Sequence, residues 1–395
     1  MYIEKYVWNK KDTRTLFGDL RKHLSMNQPQ LYYPIMSLYF KHHNTKYSHK
    51  LLDFKRKYYI RGIQDIINEE YSNSNIILRC EVLENNQNKN KEIFCKNIPL
   101  IDPIHYLVNN YSFMYQRTSF LPSNYVANTL HKINNLDNMA YIDAFCSYLF
   151  SELMIEDKLP SFPIYYGSVN GMMDYKYDIS HDINEIKYNE NFMKGLDKTY
   201  SLKEYLYSDD SDYDSDENDE NDENESTDIE SLIRDDDSYL ENLSENSDSS
   251  VGSRIESLSD KEFNFSNSSM SSSNPGGELV SILKNIPVLS LFMEKLEGTL
   301  CDCIKERLCL NDIKSCLFQI SFALHYLQKK FYFTHNDLHV CNIMYTTTSK
   351  PFLYYKFNNC YYKIPTHGKI WKIIYYGRSI ITFKNKIFMN DSFSK

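Results

Sequence analysis

The stretch 334–344 constrains the fold of this chain more than any other part of its sequence. It has the form His-x-Asp-Leu-x-x-x-x-Asn and is bordered by apolar residues. Leu338, Ile343 and Met344 are the apolar residues that predict anchoring of this loop in a hydrophobic core. The pattern therefore predicts a fixed loop that presents two polar side chains, Asp337 and Asn342, at the mouth of a cleft.

An Asp followed five residues later by an Asn is the spacing found in phosphotransferase catalytic loops. In those loops the Asp orients the hydroxyl that accepts the phosphoryl group, and the Asn holds a metal ion. Asp337 is therefore the candidate catalytic base, and Asn342 is the candidate metal ligand.

Two runs, 76–83 and 92–96, have the composition of strands and are separated by a polar segment that predicts a turn. Lys96 closes the second run, so its ammonium group would emerge at the end of a buried strand. On local sequence alone a solvated Lys at a strand end is the favoured interpretation, and only the loop 334–344 makes Lys96 a candidate site residue.

The segment 140–156 predicts a helix, because its apolar residues recur every three or four positions and a Leu-Pro pair follows it. Glu152 lies near the end of this helix and is the candidate acidic partner of Lys96. Glu156 is the alternative partner, and two solvated helix charges are the simpler interpretation.

The segment 278–300 predicts a buried strand, then a short polar hinge that contains Glu294 and Leu296, then a helix. A longer amphipathic helix is predicted over 311–330, with Asn311 as its N-cap. Its predicted inward side chains are Ile313, Leu317, Ile320, Leu324 and Leu327.

The first 74 residues are basic and aromatic, and apolar spacing predicts a helix over 51–70. We expect this part to be an extension that packs on the following domain or binds a partner.

At the other end of the chain, 344–345 and 369–374 predict the two strands of a hairpin joined by a long aromatic link.

The net charge of −9 hides two oppositely charged parts of the chain. Residues 208–260 hold 21 Asp and Glu but only two Arg, a net charge of −19, so the other residues together carry +10. The acidic, Ser- and Asn-rich composition predicts a disordered insert over 207–277. A basic remainder can bind nucleotide, nucleic acid or the acidic insert, and composition does not choose among them.

None of the nine cysteines forms a CxxC pair, which favours reduced thiols in an intracellular protein. The N-terminal residues lack the apolar segment of a signal peptide, and no run approaches the length of a membrane span. We expect an intracellular location and no membrane partner.

Taken in order, the strand-Lys, the helix, the hinge, the long helix, the His-x-Asp loop and a strand ending in Tyr-Tyr-Gly resemble the eukaryotic protein-kinase superfamily. The chain is most similar to the serine/threonine protein kinases of giant DNA viruses of the mimivirus type. The phrases that carry this likeness are Asn336-Asp-Leu-His-x-x-Asn-Ile-Met, Lys96-Asn-Ile-Pro-Leu-Ile-Asp-Pro-Ile and Ala140-Tyr-Ile-Asp-Ala-Phe. The resemblance covers about 80–205 and 278–395.

The resemblance implies an α+β, protein kinase-like two-lobe fold that binds ATP and Mg²⁺ and acts on a protein substrate or partner. Lys96 and Glu152 would hold the phosphates, the hinge backbone at Glu294 and Leu296 would meet the adenine, and His335 would brace the loop. No specific nucleic acid partner is implied. The implied divisions are an N-terminal extension 1–74, an N-lobe 75–206 and 278–296 interrupted by the insert 207–277, and a partial C-lobe 297–395.

Four features depart from the family pattern. Tyr375 stands where kinases have the metal-binding Asp, and only Gly18 and Gly62 precede Lys96, so the Gly-rich phosphate loop is missing. His339 replaces the loop Lys, and the chain ends where the activation segment would begin, which predicts an incomplete C-lobe.

These departures leave three functions open. They are a serine/threonine protein kinase, a pseudokinase that acts by binding partners, and a small-molecule phosphotransferase, which His339 suggests. For a viral protein the location would be the host cytoplasm or the virion.

Overall fold

The computed structural model describes residues 10–31, 58–68, 72–108, 111, 124–156, 159–206, 256–257, 277–383 and 385–390. It has a mixed helix and strand architecture, which agrees with the predicted α+β class at this coarse level. The predicted insert 207–277 lies outside the described residues except at 256–257 and 277. The chain divides into two compact units, residues 1–201 with 281–395 and residues 202–280.

The helices and strands are as follows in chain order. The helices are α1 (Lys10–His23), α2 (Pro103–Leu107), α3 (Asn124–Asn134), α4 (Met139–Glu156), α5 (Ile183–Ile186), α6 (Glu190–Gly195), α7 (Leu300–Lys305) and α8 (Leu310–Phe331). The strands are β1 (Asn27–Leu31), β2 (Tyr58–Ile66), β3 (Asn75–Glu84), β4 (Gln87–Pro99), β5 (Tyr165–Asp178), β6 (Tyr200–Leu206), β7 (Glu256–Ser257), β8 (Gly277–Glu294), β9 (Gly298–Thr299), β10 (Ile343–Thr347), β11 (Phe352–Phe357), β12 (Cys360–Pro365), β13 (Lys369–Ile373), β14 (Ile380–Phe383) and β15 (Lys386–Met389).

The main sheet of the first unit is antiparallel and places the strands in the order β1-β5-β8-β4-β3-β2. The predicted strands 76–83 and 92–96 are confirmed as parts of β3 and β4, and every residue of β3 pairs with β4. They are longer than predicted because the turn is only Asn85-Asn86, whose φ values of 49° and 66° suit asparagine. On its other side β4 pairs with β8, and in this pairing Lys96 lies opposite Leu291.

The predicted helix over 51–70 is wrong where the structure describes it, because 58–66 forms β2, which pairs with β3. Two irregularities in the pairing, one between Ile60 and Gly62 and one between Ile63 and Asp65, explain the misleading pattern. Each bulge interrupts the two-residue alternation of a strand, so the apolar side chains acquire a spacing that imitates a helix. β2 therefore belongs to the same sheet as the residues beyond 74.

Helix α4 confirms the predicted helix over 140–156, and it lies in the centre of the hydrophobic core. It is apolar on nearly every side, as a helix enclosed by other elements must be. The Asn138 side chain caps its start by accepting a hydrogen bond from the N–H of Ala140 at 3.0 Å. Side chains of β8, α8 and β13 complete this core, including Leu291, Leu327 and Trp371.

Helix α8 confirms the predicted helix over 311–330, with two corrections in detail. Its N-cap is Cys309, so Asn311 lies in the first turn and does not cap the helix. Leu317 was expected to face the core but is 58% exposed. The buried stripe contains the predicted Ile320 and Leu327, takes Cys316 in place of Leu317, and also includes Ala323 and Phe331.

The predicted hairpin strands at 344–345 and 369–374 are confirmed as β10 and β13, which pair with each other. The long aromatic link between them forms a hairpin of its own, β11–β12, with an Asn358-Asn359 turn. After β13 the chain makes a turn and continues into the hairpin β14–β15.

In the second unit, residues Lys203 and Glu204 of β6 pair with Ser257 and Glu256 of β7. None of the helices in the described part of the chain combines the length and the apolar content that crossing a bilayer requires.

Candidate functional site

The loop 334–342 is fixed to the core through His335, which is only 4% exposed. Its Nε2 lies 2.9 Å from the carbonyl oxygen of Ile374, and since a carbonyl only accepts, Nε2 carries the proton. Burial lowers the pKa of His335 below its usual value of 6.5, so the ring stays neutral near neutral pH. His335 thus joins the loop to the segment after β13.

Asp337 and Asn342 are brought together by a single helical turn, Val340–Asn342. The Asn342 amide donates to the backbone oxygen of Asp337 at 2.7 Å and lies 3.4 Å from its carboxylate. The same amide nitrogen is 2.9 Å from Nε2 of His339. Nε2 accepts this hydrogen bond in the tautomer that carries the ring proton on Nδ1. The loop therefore closes on itself, with the Asn342 side chain positioned by Asp337 and His339.

Arg378 is a site residue whose contact with the loop the sequence did not predict. Its guanidinium group lies 3.2 Å from Oδ1 of Asp337, and its backbone oxygen accepts a hydrogen bond from the Asn336 side chain at 3.1 Å. Asp337 and Arg378 have side chains that are 31% and 62% exposed, so this ion pair lies at the surface. The carboxylate of the candidate catalytic base is thus already engaged by a cation.

Lys96 binds Asp143, with 2.7 Å between the ammonium nitrogen and Oδ2. The Asp143 side chain is 2% exposed, and its other oxygen accepts a hydrogen bond from the backbone N–H of Tyr376 at 3.0 Å. The predicted partner, Glu152, lies nine residues further along α4. Nine residues are roughly two and a half turns, so Glu152 faces the opposite side of the helix from Asp143.

A sequence signal for Asp143 did exist. Asp143 is the only charged residue between Met139 and Phe150, in a stretch that is otherwise apolar or small. A lone acid in the middle of a buried helix needs a cationic or hydrogen-bonding partner. That requirement favours Asp143 over the two glutamates near the helix end.

Tyr375 covers the other side of the Lys96 ammonium group, which lies 3.7 Å from the centre of the Tyr375 ring. The backbone of Tyr375 is left-handed, with φ of 61°. The next residue, Tyr376, is buried in the core, where its ring packs edge-on against Phe150 with 4.9 Å between centroids. Burial raises the pKa of Tyr376 well above its usual value. The two tyrosines of the Tyr-Tyr-Gly segment thus have opposite roles, one over Lys96 and one in the core.

The hinge residues are occupied by structural contacts. Glu294 ends β8, and its carboxylate binds Lys372 at 2.7 Å and the backbone N–H of Ile164 at 3.0 Å. Leu296 follows in the irregular link 295–297 and is half-buried. The Glu294 side chain therefore ties β8 to β13 and to the segment before β5.

The site residues do not fit a Mg²⁺ ion. Hard divalent cations take about six oxygen ligands, most often with carboxylates among them. Within the described residues there is no group of three or more His, Cys, Asp and Glu side chains that could hold a metal. Tyr375 offers a phenol in place of a carboxylate, and Asp337 is paired with Arg378.

Neither a comparison with models of protein families nor a comparison with curated proteins finds a match to this chain.

Proposed function

We propose that this chain is a protein kinase-like protein that acts by binding a partner and does not transfer phosphoryl groups. The observation that carries the proposal is the environment of Lys96. Its ammonium group is enclosed between the Asp143 carboxylate and the Tyr375 ring. In a working kinase this ammonium pairs with the nucleotide phosphates, and a carboxylate at the Tyr375 position binds the metal.

The order of parts supports the kinase-like, two-lobe interpretation. Strand β4, which contains Lys96 near its end, lies beside β8, and β8 leads through the link 295–297 to the helical part of the chain. The paired acid comes from helix α4, and the loop 334–342 follows the long helix α8. This is the order expected from the resemblance, with Asp143 in place of a glutamate.

The second candidate is phosphoryl transfer from ATP to protein Ser or Thr. It is favoured by the preserved contact between Asp337 and Asn342. Against it stand the Arg378 guanidinium on the Asp337 carboxylate and the absence of a metal-binding carboxylate at Tyr375. Transfer to a small molecule was suggested by His339, but here that ring lies against the Asn342 amide.

Thermal denaturation of the full chain with ATP, with and without MgCl₂, tests the proposal. We expect no Mg²⁺-dependent rise in melting temperature, and no transfer of labelled phosphate to the chain or to a generic protein substrate. The opposite result is a Mg²⁺-dependent rise that Asn342→Ala removes, together with labelling that Asp337→Asn removes. That pair of results would overturn the proposal in favour of a working kinase.

A further inference from the structure

The hairpin β11–β12 presents one exposed face made of aromatic and basic side chains. Cross-strand partners share a face of a hairpin, and here Tyr354 pairs with Lys363 and Lys356 pairs with Tyr361. Tyr354 is 70% exposed and Tyr361 is 73% exposed, so both rings lie open to solvent. Large aromatic rings on a surface indicate an interaction site when they are grouped with charges of one sign.

The opposite face of the hairpin holds this platform firmly. Tyr355 is 4% exposed and packs against two aromatic side chains of α8, with 5.3 Å to the Phe318 centroid and 4.7 Å to that of Phe322. The hairpin is therefore anchored to the longest helix of the described chain, and its exposed face is preorganised.

The lysines of the exposed face lie close to its rings, and within the described part of the chain they have no acidic partner. Lys356 lies 5.4 Å from the Tyr361 centroid, and Lys363 lies 3.9 Å from that of Phe352. No Asp or Glu occurs between Phe352 and Pro365. Neither lysine forms an ion pair with another described residue.

A cavity of about 430 Å³ adjoins this face between the end of α8 and the hairpin. Lys356 lines it together with Lys329 and Lys330, and its aromatic walls include Tyr326 and Phe357. None of the described residues that line the cavity is acidic. Three lysines at one cavity create a positive potential that attracts an anionic group such as a phosphate.

We propose that the exposed face of β11–β12 and the adjoining basic cavity bind single-stranded nucleic acid. Bases would stack on Tyr354 and Tyr361, and backbone phosphates would pair with Lys356, Lys363 and the cavity lysines. Alternating aromatic and basic side chains are the combination by which single strands are bound without sequence readout. This proposal uses none of the residues around Lys96 and Asp337, so it stands independently of the function proposed above.

An acidic peptide is the competing ligand, because it would satisfy the same lysines. It would gain little from the two exposed tyrosines, because the negative face of an aromatic ring repels a carboxylate. The tyrosines therefore discriminate between the two ligands, while the lysines do not.

Fluorescence anisotropy of labelled oligo(dT) and oligo(U), about twenty nucleotides long to exceed one binding site, tests the proposal with the full chain. We expect binding at about 150 mM salt, with an affinity that falls as salt rises. Tyr354→Ala and Tyr361→Ala should each weaken binding about tenfold. Both side chains are exposed, and a melting curve of each variant verifies that folding is retained.

Tyr188→Ala is the matched control, because Tyr188 is 81% exposed and has Lys187 at 5.2 Å from its ring, but lies outside the hairpin. Its affinity should equal that of the wild type. Lys356→Ala should reduce both the affinity and the salt dependence. Two results overturn the proposal: no binding of either oligonucleotide, or binding that depends on the lysines but is unchanged in both tyrosine variants. If the second result is found, and a synthetic peptide of residues 208–260 displaces the oligonucleotides from both tyrosine variants and the wild type equally well, the face is an acidic peptide site.

Discussion

The ring of Tyr375 lies over the ammonium group of Lys96, with 3.7 Å between Nζ and the ring centroid. Such a contact stabilises a cation by about 0.5–2 kcal/mol, depending on how far water is excluded. Lys96 has a 17% exposed side chain and also binds Asp143, so its charge is compensated on two sides within the protein. A phosphate that approached Lys96 would have to compete with contacts that are already made.

Replacing Tyr375 by Asp should remove the ring from Lys96 and add the carboxylate that the site lacks. Asp tolerates the left-handed backbone at this position at least as well as Tyr does, so the change adds no backbone strain. We expect Tyr375→Asp, unlike the wild type, to gain a Mg²⁺-dependent rise in melting temperature of about 2 °C or more with ATP. Differential scanning fluorimetry with and without MgCl₂ measures this.

Tyr375→Phe is the control for that experiment, because it keeps a ring over Lys96 and adds no carboxylate. It should show no Mg²⁺-dependent rise. An equal rise in Tyr375→Phe, or none in Tyr375→Asp, would contradict the role assigned to Tyr375.

Asp143→Asn should destabilise the fold strongly. Asn can still accept the hydrogen bond from the N–H of Tyr376, but it leaves the Lys96 ammonium without its counter-charge in a largely buried place. Removing one partner of a buried ion pair costs about 3–5 kcal/mol of unfolding free energy. Urea unfolding followed by the fluorescence of the buried Trp371 measures the loss.

An exposed ion pair provides the comparison for Asp143→Asn. Glu190 and Lys194 lie one helical turn apart in α6, and their side chains are 84% and 68% exposed. Glu190→Gln should leave the unfolding free energy nearly unchanged, because water screens an exposed ion pair. Equal effects of the two substitutions would show that the Lys96–Asp143 pair carries no special share of the stability.

The loop and the two long helices were predictable because their signals are local. A His-x-Asp-Leu-x-x-x-x-Asn spacing and apolar side chains every three or four residues need no tertiary information. The partners of Lys96 and Asp337 were not predictable in that way. Asp143 and Arg378 lie 47 and 41 positions away from them, and only the folded chain brings these pairs together.

Strand β2 shows a different limit of sequence analysis. Its bulges change the apolar spacing locally, and a bulge is set by the partner strand as well as by the bulged sequence. Leu296 was located correctly in the link after β8, whereas Glu294 is the last residue of β8 itself. The contact of Glu294 with Lys372 depends on β13, which lies far along the chain.

The stability of the chain in acid should depend on Glu84, which ends β3 and is 5% exposed. Burial alone would raise the pKa of Glu84, but hydrogen bonds from Lys89, Tyr166 and Lys91 outweigh it and hold the pKa at about 2, against 4.5 in an exposed carboxyl. A carboxyl with a depressed pKa stabilises the folded state fully above pH 4.5, and this contribution is lost as the pH falls toward 2.

Urea unfolding of the wild type and Glu84→Gln across this pH range tests the dependence. The difference in unfolding free energy should be largest above pH 4.5 and should shrink steadily as the pH approaches 2. A difference that stays constant with pH would mean that Glu84 acts by packing and not by its charge.

The docking of α1 on β2 should depend on the absence of a side chain at Gly62. A Cβ atom there would lie 2.8 Å from Oδ2 of Asp19, and the same oxygen accepts the backbone N–H of Ile63 at 2.9 Å. Gly62→Ala would displace the carboxylate and leave this N–H without its partner, so we expect a loss of about 1–3 kcal/mol. The loss would be visible in urea unfolding.

Gly18→Ala is the matched control, because a Cβ atom at Gly18 would meet nothing within 4 Å. Gly18 lies inside α1, where Ala is favoured over Gly by about 1 kcal/mol. The same chemical change should therefore stabilise the chain at Gly18 and destabilise it at Gly62. If both substitutions destabilise the chain, or neither does, the contact between Asp19 and β2 is not what holds α1 on the sheet.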